Sequence, residues 1–185
     1  MAATLDPALS LAAGASLALV FAAAAVSKLR TWREFPGVVQ NYRLVPVAAA
    51  RPVAGTLPVL EAMVAVGLVA TPARPYAALA AVALLAMFSL AVAINLARGR
   101  RHIDCGCFRF ALRQPLSWWL VGRNVLLIAV ALIAGTPGVA PRQLTWLDGV
   151  TVGGAALSLF VLYLAGAYVL GPPPFEPLAA EGTAS

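Results

Sequence analysis

Charge is scarce in this chain. Only 11% of its 185 residues are Asp, Glu, Lys or Arg and 62% are hydrophobic, whereas a soluble domain carries about 25% charged residues. That scarcity excludes an ordinary soluble fold and leaves an integral membrane protein. Cysteine is scarcer still, limited to Cys105 and Cys107 on either side of Gly106. Two sulfurs in one tripeptide cannot staple distant segments, so a disulfide scaffold is excluded; they can bond each other or share a metal ion. The residues before the first apolar run include no Lys or Arg. A secretory signal needs a positive n-region, so this run is expected to remain as a helix. There is no repeat of about 20 to 50 residues and no glycine-rich phosphate loop. The net charge of +6 is explained by its placement beside the apolar runs, so no nucleic-acid partner is expected.

What is abundant is apolar sequence in runs. They cover about Ala8 to Val26, Val53 to Ala70, Tyr76 to Ala97, Ser117 to Ala134 and Val150 to Leu170. Each has about the 17 to 25 residues that cross a hydrocarbon core. The expected fold is all-α: an integral membrane bundle of about five transmembrane helices, a four-helix core plus one. One transmembrane domain should occupy residues 1–170, with a disordered Pro-rich tail over 171–185. Pro58 is expected in the first turn or two of the second run, where a missing N–H costs least.

The connections alternate in charge. Lys28, Arg30, Arg33, Arg43 and Arg51 stand against Glu34 between the first two runs, a net +4. Arg98, Arg100, Arg101, Arg109 and Arg113 stand against Asp104 between the third and fourth, again +4. Five spans put both basic connections on one face, beside anionic lipid headgroups. The positive-inside rule makes that face cytoplasmic, with the N-terminus outside, in the plasma (inner) membrane.

The first basic connection should itself contain a helix. Phe35, Val38, Val39 and Tyr42 recur at helical spacing, the stripe of a short interfacial amphipathic helix that roofs the bundle and ends before Pro46. Its start is marked either by Thr31 and Glu34 as a capping box or by Pro36 at the first position. Small residues at Ala22 to Ala25, Gly153, Gly154 and Gly166 suit close helix approach. Trp32, Trp118, Trp119 and Trp146 fall near run ends, as an aromatic belt would.

The apolar runs carry few polar residues, and those cluster. Glu61 is about nine residues into the second run and Arg123 about six or seven into the fourth, which puts both roughly 9 to 14 Å below the basic face. An unpaired charge at a helix centre costs about 2.5 to 3.5 kcal/mol, so the two are expected to pair. Asn124, Asn95, Ser27 and Lys28 lie toward the same face. This polar set either locks helix register or lines a pocket beneath the cysteines, together with Asp104 of the loop.

Cys-Gly-Cys admits three chemistries. A disulfide between neighbours separated by one glycine is strained and readily exchanged. Arg100, Arg101 and Arg109 favour a thiolate and Asp104 opposes it. Alternatively His102, Cys105 and Cys107, joined by Asp104, offer soft ligands to a thiophilic metal ion for binding or transport. The pair is otherwise inert, in a non-enzymatic assembly factor.

Several stretches resemble one family. Ser27-Lys-Leu-Arg30, Tyr42-Arg-Leu-Val-Pro46, Leu57-Pro-Val-Leu-Glu61, Ile94-Asn-Leu-Ala-Arg-Gly-Arg100, Ile103-Asp-Cys-Gly-Cys-Phe108 and Gln114-Pro-Leu-Ser-Trp118 are similar to the MauE methylamine-utilisation membrane proteins, as is Arg123-Asn124. That family sits within a broader DoxX-like group of redox-associated membrane proteins. After Phe108 the family pattern has Gly where this chain has Arg109. The resemblance implies thiol–disulfide or electron transfer at Cys105 and Cys107, as a possible thiol–disulfide oxidoreductase. It also implies a thioredoxin-like partner oxidoreductase and a role in maturing a disulfide-containing exported client. No bound cofactor is evident; a relay of electrons across the membrane from only two cysteines would need a carrier such as a quinone.

Overall fold

Local chemistry sets the helix ends. Asp6 caps the first helix, α1 (Pro7–Arg30), its carboxylate accepting from the Ala8 amide at 2.8 Å, and Pro7 supplies a first position that needs no amide partner. The description comes from a computed structural model and covers residues 6–106, 115–136 and 145–169. Cys107, Arg109 and the tail expected over 171–185 lie outside those residues.

At the far end of α1 the Thr31 hydroxyl donates to the Ser27 carbonyl at 3.0 Å. Thr31 thus closes α1 instead of opening the next helix in a capping box. Helix α2 (Phe35–Tyr42) starts on Pro36, with no side-chain cap, and ends where Arg43 turns left-handed at φ 50. Its stripe is the expected one. Phe35 and Val38 are buried with Ala54, and Val39, Tyr42 and Leu57 pack against them.

Helix α3 (Val47–Val69) starts earlier than its apolar run. Ala48, Ala49 and Ala50 are strong helix formers, and Pro52 frees the carbonyl of Ala48 within the exposed first turn, where the missing bond costs least. Pro58 is consequently deep inside the helix, not in its first turns, a position that transmembrane helices tolerate. Helices α4 (Arg74–Ala97), α5 (Trp118–Ala134) and α6 (Trp146–Val169) complete the described residues, which contain no β-strand. α1, α3, α4 and α6 are long and apolar enough to cross a membrane, and α5 is a shorter apolar helix of 17 residues.

Four helices form a closed ring: α1 packs on α3 and α5, and α4 packs on the same two. α6 lies outside against α1, and α2 lies on α3. The ring is filled by Leu17, Phe21, Leu68, Ala81, Leu85, Leu127 and Ala131, with alanine letting the backbones close in. The tightest approaches use glycines other than those singled out from sequence. A Cβ on Gly67 would lie 2.8 Å from that of Ala77, and one on Gly135 would lie 2.8 Å from that of Ala78. Gly153, Gly154 and Gly166 have nothing within 4 Å, because α6 touches the bundle along a narrow strip.

The outer surface is apolar. Val66, Leu79, Leu126 and Leu162 are all exposed, which water would penalise and lipid does not. Trp32, Trp118 and Trp146 are exposed near helix ends, while Trp119 is half-buried. Ser10 at the start of α1 donates to the Ala134 carbonyl at the end of α5 at 3.0 Å. Those ends therefore share the face opposite the cysteine loop.

Candidate functional site

The cysteine loop grows out of the end of α4. Gly99, at φ +73, takes the left-handed position, its amide donates to the Leu96 carbonyl at 3.0 Å, and the Arg100 amide donates to the Asn95 carbonyl at 2.9 Å. This is the paired closure of a Schellman cap, which explains a glycine within a basic turn. The cap folds the Arg100 side chain back over the helix end. Its Nη1 donates to Asn95 Oδ1 at 3.0 Å and reaches the Tyr42 carbonyl at 3.4 Å. Asn95 is fully buried, and its Nδ2 donates to the Ala91 carbonyl at 3.0 Å.

The chain then runs along the start of α5. The Leu116 amide donates to the Arg101 and Ile103 carbonyls, each at 3.1 Å, and Asp104 bridges to Pro115. Ile103 and Leu116 are buried with Val92, Leu96 and Leu120, and Cys105 packs against that cluster. One hydrogen bond ties the loop to α2 and another folds the loop on itself. The Tyr42 hydroxyl donates to the Cys105 carbonyl at 3.1 Å, and Asp104 Oδ1 accepts from the Gly106 amide at 3.1 Å.

Gly106 is required twice over. Its φ is +74, which side chains rarely adopt, and a Cβ there would lie 2.9 Å from Val38 Cγ1. The residue between the cysteines is thus pressed on the stripe of α2. The roof and the cysteine loop form one packed unit.

Beneath the loop lies a buried ion pair. Lys28 Nζ is 2.8 Å from Glu61 Oε1, with the side chains 4% and 1% exposed. Arg123, the expected partner, lines the same small cavity as Glu61, and the ion pair at this distance is with Lys28. Glu61 sits in the second half of α3, because that helix already starts at Val47. Lys28, in the last turn of α1, points its stem back toward the α1 N-terminus as helical side chains do, and so descends to meet it. Phe35 and Phe88 flank the ammonium at 5.6 and 5.7 Å from their ring centroids. The Arg123 guanidinium lies over the Tyr163 ring of α6 at 5.2 Å. Lys28, Glu61, Arg123, Asn124 and Tyr163 nevertheless line one small cavity of about 30 Å³, so the polar cluster is a single assembly.

A larger cavity of about 220 Å³ separates this assembly from the loop. Its walls are apolar side chains of α2, α3, α4 and α5, with Lys28 and Asn124 as polar members and Cys105 on its border. The structure therefore brings Lys28, Asn124 and Cys105 to one space. Glu61 and Arg123 lie beside it, and Asn95 and Asp104 act as anchors of the loop. His102 is exposed. Among the described residues no three His, Cys, Asp or Glu side chains converge as a metal site, and Cys107 of the alternative set falls outside them. Tyr42, Phe88 and Tyr163 were not singled out from sequence as site residues, and Arg100 was singled out as a charge near the thiols and not as an anchor of the loop. For Tyr42 the signal was present, since it stands in both the amphipathic stripe and a family-like stretch.

An apolar ring of helices carrying a clamped cysteine loop over a buried ion pair defines a multi-pass membrane protein with its polar site at one end. The family profile described as methylamine utilisation protein MauE matches residues 6–137, and the chain belongs to that family. It is 52% identical over 157 residues to the methylamine utilization protein MauE of Paracoccus denitrificans, covering 84% of this chain and 83% of that one. Identity is 45% to the proteins of the same name from Paracoccus versutus and Methylorubrum extorquens. These alignments cover 95% and 92% of this chain and 95% and 91% of those proteins. No solved structure matches the chain.

Proposed function

We propose that this protein is a membrane thiol–disulfide exchange component of methylamine utilisation, cycling Cys105 and Cys107 between dithiol and disulfide. The observation that carries this reading is the mounting of Gly106. The glycine is held left-handed and against Val38 of α2, so the backbone that joins the sulfurs is fixed by packing while Cys105 borders a cavity. A disulfide closed across a glycine mounted in that way would suit repeated exchange, because a strained short ring is readily opened by an attacking thiolate.

The partner is a thioredoxin-fold oxidoreductase, and the process served is maturation of a disulfide-containing exported protein. The charge bias puts the loop at the cytoplasmic face of the plasma membrane with the N-terminus outside, against anionic headgroups. From that face an exported client is served through a carrier that crosses the bilayer.

Exchange passes through a mixed disulfide, which stalls when the resolving sulfur is removed. Either Cys105→Ser or Cys107→Ser should therefore accumulate a reductant-sensitive adduct with a cytoplasmic thioredoxin-fold protein, seen on non-reducing gels of whole cells. Absence of any adduct in both variants would refute exchange. Capture of an exported thioredoxin-fold protein instead would refute the cytoplasmic placement alone.

A further inference from the structure

The cavity of about 220 Å³ under the cysteine loop is larger than a register-locking ion pair needs. Its position, walls and single cation define what could fill it. An apolar cavity of about 150 Å³ accommodates a benzene ring, so this one admits a substituted six-membered ring. Val38, Leu57, Val92 and Leu120 are among its walls, so the occupant is apolar over most of its surface. The lining includes Leu44 and Met87, both exposed on the outside of the protein. A long tail on the ring can leave that way into lipid.

Lys28 supplies the polar end. Its ammonium carries three hydrogens and gives one to Glu61 Oε1. It lies between Phe35 and Phe88, both of which also line the cavity. A ring oxygen entering between those aromatic walls meets a cation already held in place, with Asn124 as a second polar neighbour. Cys105 lines the same cavity.

We propose that this cavity binds the ring of a lipophilic benzoquinone, which accepts the electrons of the Cys105–Cys107 dithiol. The proposal rests on the exchange reading above and names its electron acceptor. The balance is closed. The two S–H bonds break and an S–S bond forms, releasing two electrons and two protons, and the quinone takes both into its two oxygens as a hydroquinone. Lys28 serves as hydrogen-bond donor to the oxygen on which negative charge develops, with Glu61 fixing its position. An electron pair delivered by a partner dithiol thereby enters the membrane as a diffusible carrier, and the disulfide is restored for the next exchange.

The test uses the full chain in lipid nanodiscs, reduced, freed of reductant and mixed anaerobically with decylubiquinone. Quinone absorbance and remaining thiols are followed together. The expected result is one quinone consumed for each pair of thiols lost. Ala91→Phe, which places a ring in the cavity and leaves Lys28 and the cysteines unsubstituted, should slow the reaction at least about tenfold. Thiols that react with an oxidised thioredoxin-fold partner but not with decylubiquinone would overturn this inference and leave exchange standing. Thiols inert to both would overturn the exchange reading itself. A folded Ala91→Phe variant, helical and monodisperse, that reacts at the parent rate would overturn the placement. In the unsubstituted protein, an azidoquinone photolabel should attach to peptides carrying Leu57 or Met87. Labelling confined to other helices would equally refute the cavity as its seat.

Discussion

Glu61→Leu is expected to destabilise the bundle by about 3 to 5 kcal/mol, the cost of leaving a buried charge without its partner. Lys28 Nζ sits 2.8 Å from Glu61 Oε1, and both side chains are almost wholly enclosed. Removal of the carboxylate leaves an ammonium between two phenyl rings, whose faces offset only part of its lost partner. Lys28→Met is expected to destabilise as well, now removing the cation bonded to Glu61 Oε1. The double variant should recover a coupling of about 0.5 to 3 kcal/mol relative to the sum of the singles. Denaturant titration of the protein in detergent micelles measures all three. Losses that simply add would show that the two groups do not interact, whatever their distance.

The next largest effect is expected at Gly106. Alanine there would be held left-handed, at a cost of about 1 to 2 kcal/mol. Its Cβ would also press on Val38 at 2.9 Å. The loop should lift from α2, and the hydrogen bond from Tyr42 to the Cys105 carbonyl should open with it. The ring of α1, α3, α4 and α5 keeps its own core, so unfolding of the bundle should change by no more than the about 1 to 2 kcal/mol of backbone strain while maleimide labelling of Cys105 becomes several-fold faster. Val38→Ala in the same background should recover the steric share and not the backbone share. Labelling at the parent rate in Gly106→Ala would mean that the clamp does not position the cysteine.

Much of this architecture is legible in the sequence because each spanning helix is a long apolar run and α2 is a strict stripe. Phe35, Val38, Val39 and Tyr42 face the bundle as their spacing requires. The beginning of α3 was not legible. Arg51 and Pro52 break the apolar run although the backbone is already helical at Val47, so hydropathy marks where lipid begins and not where the helix does. The pairing of Glu61 with Lys28 was not legible either. Glu61 and Arg123, matched in depth when counted from the apolar edges, do line one small cavity, but nothing in the apolar pattern shows that the Lys28 stem runs back along α1 to reach the same carboxylate. The clamp on the loop depends on Arg100 and Tyr42 meeting across more than fifty residues of chain, and no local pattern encodes such a meeting. Gly153 and Gly154 show the opposite failure. Their composition suits close packing, but α6 turns them away from this chain's other helices.

The central claim is that Cys105 and Cys107 change redox state during the protein's work, and thiol trapping in whole cells tests it directly. Acid quenching followed by a mass-tagging maleimide separates dithiol from disulfide on a gel. The account predicts both forms in growing cells, with the balance moving to one form when the thioredoxin-fold partner is deleted. A pair found in one fixed state, with and without that partner, would contradict it.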